Sequence, residues 1–144
     1  MRILLPVNLN VWPELLVDAA RPWAERMGAK IDLMFVDELT QPRARVKDPA
    51  VQAVIEANLA TEHQHVHDAL AAQRDRLPEA LRGVTFIEHG NPADAIVRRS
   101  ADYDLVICGN DGRAGVTGLF GSMSESLVRN FRKPVLLLRV RPHR

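Results

Sequence analysis

The residues best suited to chemistry are Gly109-Asn110-Asp111-Gly112-Arg113-Ala114-Gly115-Val116-Thr117-Gly118-Leu119-Phe120-Gly121-Ser122, five glycines in fourteen residues. Backbone without Cβ atoms can turn sharply and come close to a ligand. Ser122 stands where a helix N-cap belongs, and Glu125 three residues later completes a capping-box pattern. A helix N-terminus presents free N–H groups and a partial positive charge, which suits phosphate. The stretch either connects two elements or cradles phosphate; its glycine content and capped helix favour phosphate. Arg113 either reaches phosphate oxygens or is a solvated loop charge.

Other reactive side chains carry less. His63, His65 and His67 invite a metal reading, but on a helix only His63 and His67 share a face. Two ligands without a carboxylate or partner chain favour a solvated helix face. Cys108 ends an apolar run with no basic neighbour beside it, so it reads as structural. Trp12 and Trp23 fall on the apolar side of the first helix and read as core. Arg98-Arg99 and the Arg139/Arg141 pair read as surface charge. No nucleophile–base pair stands at a readable spacing, so any turnover is slow or absent. A P-loop needs lysine after its last glycine, where this chain has Ser122-Met123; the dinucleotide fingerprint needs glycines after the first strand, where it has Asn8-Leu9-Asn10.

Composition narrows the class. The 144 residues fit one α/β domain, and 47% hydrophobic residues can fill its core. No apolar run reaches the roughly 18 residues of a membrane span, and the N-terminus lacks signal-peptide regions. One cysteine excludes an internal disulfide framework and fits a cytoplasmic protein. Lys+Arg 19 against Asp+Glu 18 argues against a nucleic-acid binder.

The elements that must position the glycine loop follow from periodicity. Arg2 to Val7 is a buried strand, and Trp12 to Met27 a helix with Pro13 in its first turn. Pro22 should kink that helix or leave a carbonyl unpaired. Gly28 is its C-cap. Lys30 to Val36 is a second strand, followed by a loop over residues 37–47. Asp48-Pro49 starts a long helix with Val51, Val54, Ile55, Leu59, Glu62, Val66, Leu70 and Leu77 along one face. Val84 to His89 is an edge strand, and Asn91-Pro92 starts a helix through Ala101 with Ala95, Ile96 and Val97 inward. Asp104 to Cys108, a helix over residues 122–131 and a strand over 134–140 complete the chain. This β-α alternation predicts one doubly wound, five-stranded parallel sheet in the order 3-2-1-4-5, with helices on both faces. Its ligand crevice opens between the ends of strands one and four, with Asn8 on one side and the glycine loop on the other.

The pattern resembles the universal stress protein family over the whole chain. It is carried by Gly109, Gly112 and Gly121-Ser122, Ile3-Leu4-Leu5-Pro6-Val7, Phe35-Val36-Asp37, Gly90-Asn91-Pro92-Ala93-Asp94-Ala95-Ile96 and Lys133-Pro134-Val135-Leu136-Leu137-Leu138. The resemblance implies a cytoplasmic homodimer, paired through its last strand, in a family of which one branch binds ATP. In that branch the residues matching Gly109, Gly112, Gly121, Ser122, Met123 and Ser124 hold phosphates and ribose. Those matching Pro6, Val7 and Val36 line the adenine, and Asn8 and Arg113 complete the expected site. Three departures stand out. Asn8 replaces the family's usual Asp; it still accepts from a ribose hydroxyl but adds two N–H donors. Asp111 replaces a frequent His, and a carboxylate beside a triphosphate calls for Mg²⁺. Eight residues, not nine, separate Gly112 from Gly121. The alternatives are an interaction module of the same fold without nucleotide, and an ATP-dependent enzyme of the wider α/β group. The latter lacks the Ser-Gly-Gly signature of ATP pyrophosphatases after its first strand.

Overall fold

A computed structural model describes residues 1–38, 47–110 and 129–141. The chain opens with β1 (Arg2–Pro6), whose Ile3, Leu4 and Leu5 are wholly buried. Both faces of this strand are covered, so its apolar run is continuous rather than alternating. Helix α1 (Pro13–Met27) buries Leu16, Val17, Ala20 and Ala24, one stripe at helical spacing. Gly28 ends it at φ 61°. Gly28 N–H donates to the Glu25 carbonyl at 3.3 Å and Ala29 N–H to the Ala24 carbonyl at 3.0 Å, a Schellman end. Pro22 neither ends nor interrupts the helix. It sits on the solvent side, as does Asp18, whose carbonyl its missing N–H leaves to water.

The next elements are β2 (Lys30–Asp37), α2 (Pro49–Asp75), a 3₁₀ turn (Glu79–Leu81), β3 (Arg82–His89) and α3 (Pro92–Ser100). Both polar-residue-plus-proline starts behave as expected. Asp48 Oδ1 accepts from Ala50 N–H at 2.9 Å, and Asn91 Oδ1 from Asp94 N–H at 3.1 Å. Strands β4 (Leu105–Asn110) and β5 (Val135–Arg139) follow. All ladders are parallel, in the order β3-β2-β1-β4-β5. The α/β architecture and strand order are those expected from the sequence.

Alternate strand residues feed two cores. Ile3, Leu5, Ile31, Leu33 and Ile107 pack with Val17 and Ala20 of α1 and Leu70 of α2. Leu4, Met34, Val106 and Cys108 pack with Ile96 of α3 and with Tyr103.

Helix α2 departs from expectation. Its apolar face is not buried end to end: Leu70 is its one buried residue, while Val51, Val54 and Leu59 are exposed. Length explains this. A 27-residue helix runs about 40 Å, whereas an eight-residue strand such as β2 spans about 26 Å. The helix outruns the sheet, and its N-terminal half overhangs. Trp12 is a second correction. It precedes α1 in the left-handed region at φ 41° and, among the described residues, belongs to neither core cluster, whereas Trp23 packs against the first.

Candidate functional site

The sheet reverses direction beside β1, which pairs with β2 on one side and β4 on the other. The β1–β4 ladder runs from Ile3–Leu105 to Leu4–Val106, and beyond it β1 continues to Pro6 and β4 to Asn110. On the other side β1 stays paired with β2 through Pro6–Met34. The structure therefore brings Pro6, Val7, Asn8, Val36 and Gly109 to one edge, the C-terminal ends of three adjacent strands. This is where open α/β sheets hold ligands. Gly112, Arg113, Gly121, Ser122, Met123 and Ser124, with Asp111, lie outside the described residues.

Each described residue has a local reason for its place. Val7 N–H donates to the Met34 carbonyl at 2.8 Å, extending the β1–β2 ladder by one bond. Its side chain is buried in the core under α1, so toward the crevice Val7 offers backbone rather than apolar surface. Asn8 makes an Asx turn: its Oδ1 accepts from Asn10 N–H at 3.0 Å, and its carbonyl from Val11 N–H at 3.1 Å. That turn carries the chain into Trp12, whose positive φ is the only one among the described non-glycine residues. A left-handed tryptophan costs of order 1–3 kcal/mol, and it stands at the start of the helix that borders the crevice.

Gly109 has a packing role that sequence reasoning missed. A Cβ there would come within 3.1 Å and 3.2 Å of the two Leu16 methyls. The missing side chain thus lets α1 lie close to the end of β4. Cys108, one residue earlier, is wholly buried, and burial pushes its thiol up to about 12. It therefore stays protonated and is no nucleophile near neutral pH.

The other candidates lie elsewhere. His63 and His67 face each other on exposed α2. Arg98 and Arg99 both reach Glu88, and Arg99 also stacks over Phe86 at 4.6 Å. They fasten α3 to β3 rather than forming a basic patch.

A buried polar cluster, also missed, occupies the opposite end of the sheet. Asp32, 3% exposed, accepts from Tyr103 Oη at 2.7 Å, Arg2 Nη2 at 2.7 Å and Val84 N–H at 2.8 Å. Burial first, then the Asp32 hydrogen bond, raises the Tyr103 pKa. The hydrogen bond to Asp32 raises that of Arg2, which also stacks over the Tyr103 ring at 4.8 Å. The available signal was Asp32, a carboxylate at an interior position of the otherwise apolar run Ile31 to Val36.

Among the described residues no helix is long and apolar enough to cross a membrane. No group of three or more His, Cys, Asp or Glu among them is arranged to hold a metal.

Comparison with known proteins agrees with this architecture. Universal stress protein UspA from Lactobacillus plantarum superposes with a TM-score of 0.72 at 22% identity, covering 96% of this chain and 97% of that one. A universal stress protein solved in complex with cAMP gives a TM-score of 0.65 at 19% identity, covering 96% of each chain. Universal stress protein Rv2005c of Mycobacterium tuberculosis is 35% identical over 92 residues, 62% of this chain. That match spans only 28% of the relative's length. The family model of the universal stress proteins matches residues 1–139, and the chain belongs to the universal stress protein family.

Proposed function

We propose that this chain binds an adenine nucleotide, ATP with Mg²⁺, in the crevice where β1 and β4 end, and acts as a cytoplasmic stress-response homodimer rather than as an enzyme. The observation that carries the reading is that β1, leading into Val7 and Asn8, and β4, which holds Gly109, are neighbours at the strand-order reversal. Phosphates belong on the segment from Gly109 through Gly112, Arg113, Gly121, Ser122, Met123 and Ser124. Glycine backbone and a capped helix start suit anions there. The base belongs against Pro6, Val7 and Val36, and the ribose near Asn8. The cAMP complex of a relative supports the nucleotide class. Asp111 calls for a cation between its carboxylate and a triphosphate.

Calorimetric titration with ATP tests this directly. Wild type should bind, more tightly with Mg²⁺ than with chelator, and Gly121→Val should not, because a branched side chain fills the space backbone needs. Equal binding by both proteins would put the site elsewhere, and equal affinity with and without Mg²⁺ would remove the cation.

The dimer is assigned to β5, which among the described residues pairs with β4 alone. Val135 packs partly on one core and Leu136 and Leu138 on the other, while Leu137 is 44% exposed. An apolar edge strand favours pairing with its own copy around a two-fold axis. Leu137→Pro removes a ladder donor and should shift sedimentation from dimer to monomer. A wild-type monomer at micromolar concentration would refute the assembly. One feature favours a second reading, an interaction module without nucleotide: Asn8 Oδ1 is already engaged by its own turn. Mass spectrometry of nucleotide carried through purification separates the two.

A further inference from the structure

Residues four apart on a helix lie one above the other. His63 and His67 of α2 use that spacing to bring both Nε2 atoms within 3.0 Å of each other. Their rings meet edge to face, with centroids 4.5 Å apart and planes at 83°. His63 is exposed and His67 half-buried, so the facing nitrogens are open to solvent on one side. This spacing suits an N–H···N hydrogen bond when one ring carries its proton on Nε2 and the other does not.

We propose that His63 and His67 form a chelating site for a divalent transition metal, Cu²⁺ best. Imidazole nitrogen is a preferred ligand of copper, nickel and zinc. Copper(II) stands highest in the usual affinity order for such nitrogen ligands. With the two Nε2 atoms 3.0 Å apart, rotation of the rings would turn both lone pairs toward one ion. The helix backbone holds the two rings on one face, so part of the ordering is already done.

The rest of the coordination sphere must come from outside. No third His, Cys, Asp or Glu among the described residues completes a cluster. Asp68, the nearest carboxylate on the C-terminal side, accepts from Gln64 Nε2 at 2.9 Å. Water or a small anion would take the remaining positions. The pair sits where α2 changes from overhanging to packed, one turn before buried Leu70. A bound metal would clip that turn and stabilise the helix there.

The test uses the full chain without a histidine tag. Wild type, His67→Gln and His65→Gln are titrated with Cu²⁺ by calorimetry, and the bound copper is examined by electron paramagnetic resonance. His63→Gln/His67→Gln measures background from His65, His89 and His143. All substitutions but His67→Gln fall on exposed positions, and circular dichroism checks every variant's fold. Wild type should bind one Cu²⁺ per chain above background, with two imidazole nitrogens in its spectrum. His67→Gln should weaken binding at least about 100-fold, because tethering of the second ligand is lost. His65→Gln should bind as wild type, and only chains with both ligands should gain thermal stability from copper. Equal binding by wild type and His67→Gln would overturn the site. An equal loss in His65→Gln would do the same.

Discussion

Replacing Asp32 with alanine tests whether the buried carboxylate holds the sheet together. The change removes the acceptor shared by three donors. Tyr103 is 5% exposed, and stranding its hydroxyl costs about 2–3 kcal/mol. The Val84 N–H lies on the edge strand, where water replaces the carboxylate more readily, so its loss is set at about 1 kcal/mol. Arg2 adds nothing to the sum, because its side chain is 55% exposed and solvent takes over the guanidinium. The total is about 3–4 kcal/mol, a large share of the roughly 5–15 kcal/mol that holds an ordinary domain. For a chain of this size it lowers Tm by about 6–16 °C.

Asp32→Asn separates charge from hydrogen bonding. Its amide oxygen still accepts from Val84, and the Tyr103 hydroxyl can rotate to accept from the amide nitrogen. It should cost about 1–2 kcal/mol, less than alanine. Urea unfolding of wild type, both variants, Tyr103→Phe and the Asp32→Ala/Tyr103→Phe pair completes a double-mutant cycle. Coupling between the two residues should be about 1–2 kcal/mol. A loss below about 1 kcal/mol for Asp32→Ala would refute the assignment. So would a cycle that closes with no coupling.

Gly83 touches the same cluster from the edge strand. A Cβ there would fall 1.8 Å from Asp32 Oδ1 and 2.6 Å from the Ile31 carbonyl oxygen. Backbone cannot give way as a flexible side chain can, so Gly83→Ala should cost at least about 2–3 kcal/mol in urea unfolding. A near-neutral result would mean that β3 shifts freely against β2. Burial makes stability depend on alkaline pH. The Cys108 thiol titrates at about 12 when folded, against 9.0 for an ordinary thiol. Between those values the folded state keeps a proton that the unfolded state has lost, so stability falls as pH rises above about 9. Tyr103 is raised too and acts in the same direction. Denaturation midpoints should be flat from pH 7 to 8.5 and decline above 9, less steeply in Cys108→Ala. Rapid modification of Cys108 in the native protein at pH 8 would contradict its burial.

What could be read from the sequence was what neighbours in the chain decide. Asp48-Pro49, Asn91-Pro92 and Gly28 mark element ends because caps are made within a few residues. Strand order followed from β-α alternation, since parallel strands need crossovers and favour few topologies. Illegible features depend on distant contacts. The Asp32–Tyr103 bond joins residues 71 apart in the chain. The exposed start of α2 depends on how far the sheet extends beneath it, which periodicity does not encode. Gly109 was read toward a ligand, and its contact with Leu16 gives it a second, purely internal constraint.

That double constraint bears on how the crevice is built. Arg2, Asp32, Val84 and Tyr103 meet where β1, β2, β3 and β4 begin, and they tie four strands together by directed polar bonds. At the other end, Val7, Asn8 and Gly109 rely on apolar packing under α1 and on a turn that closes through its own Asn8 side chain. The rigid end fixes register, and register fixes which backbone atoms face the crevice. The proposed site, made largely from backbone, needs that register more than it needs any one side chain. Slippage between β1 and β4 would disturb it, because one residue of slip would exchange the faces on which Val7 and Gly109 stand.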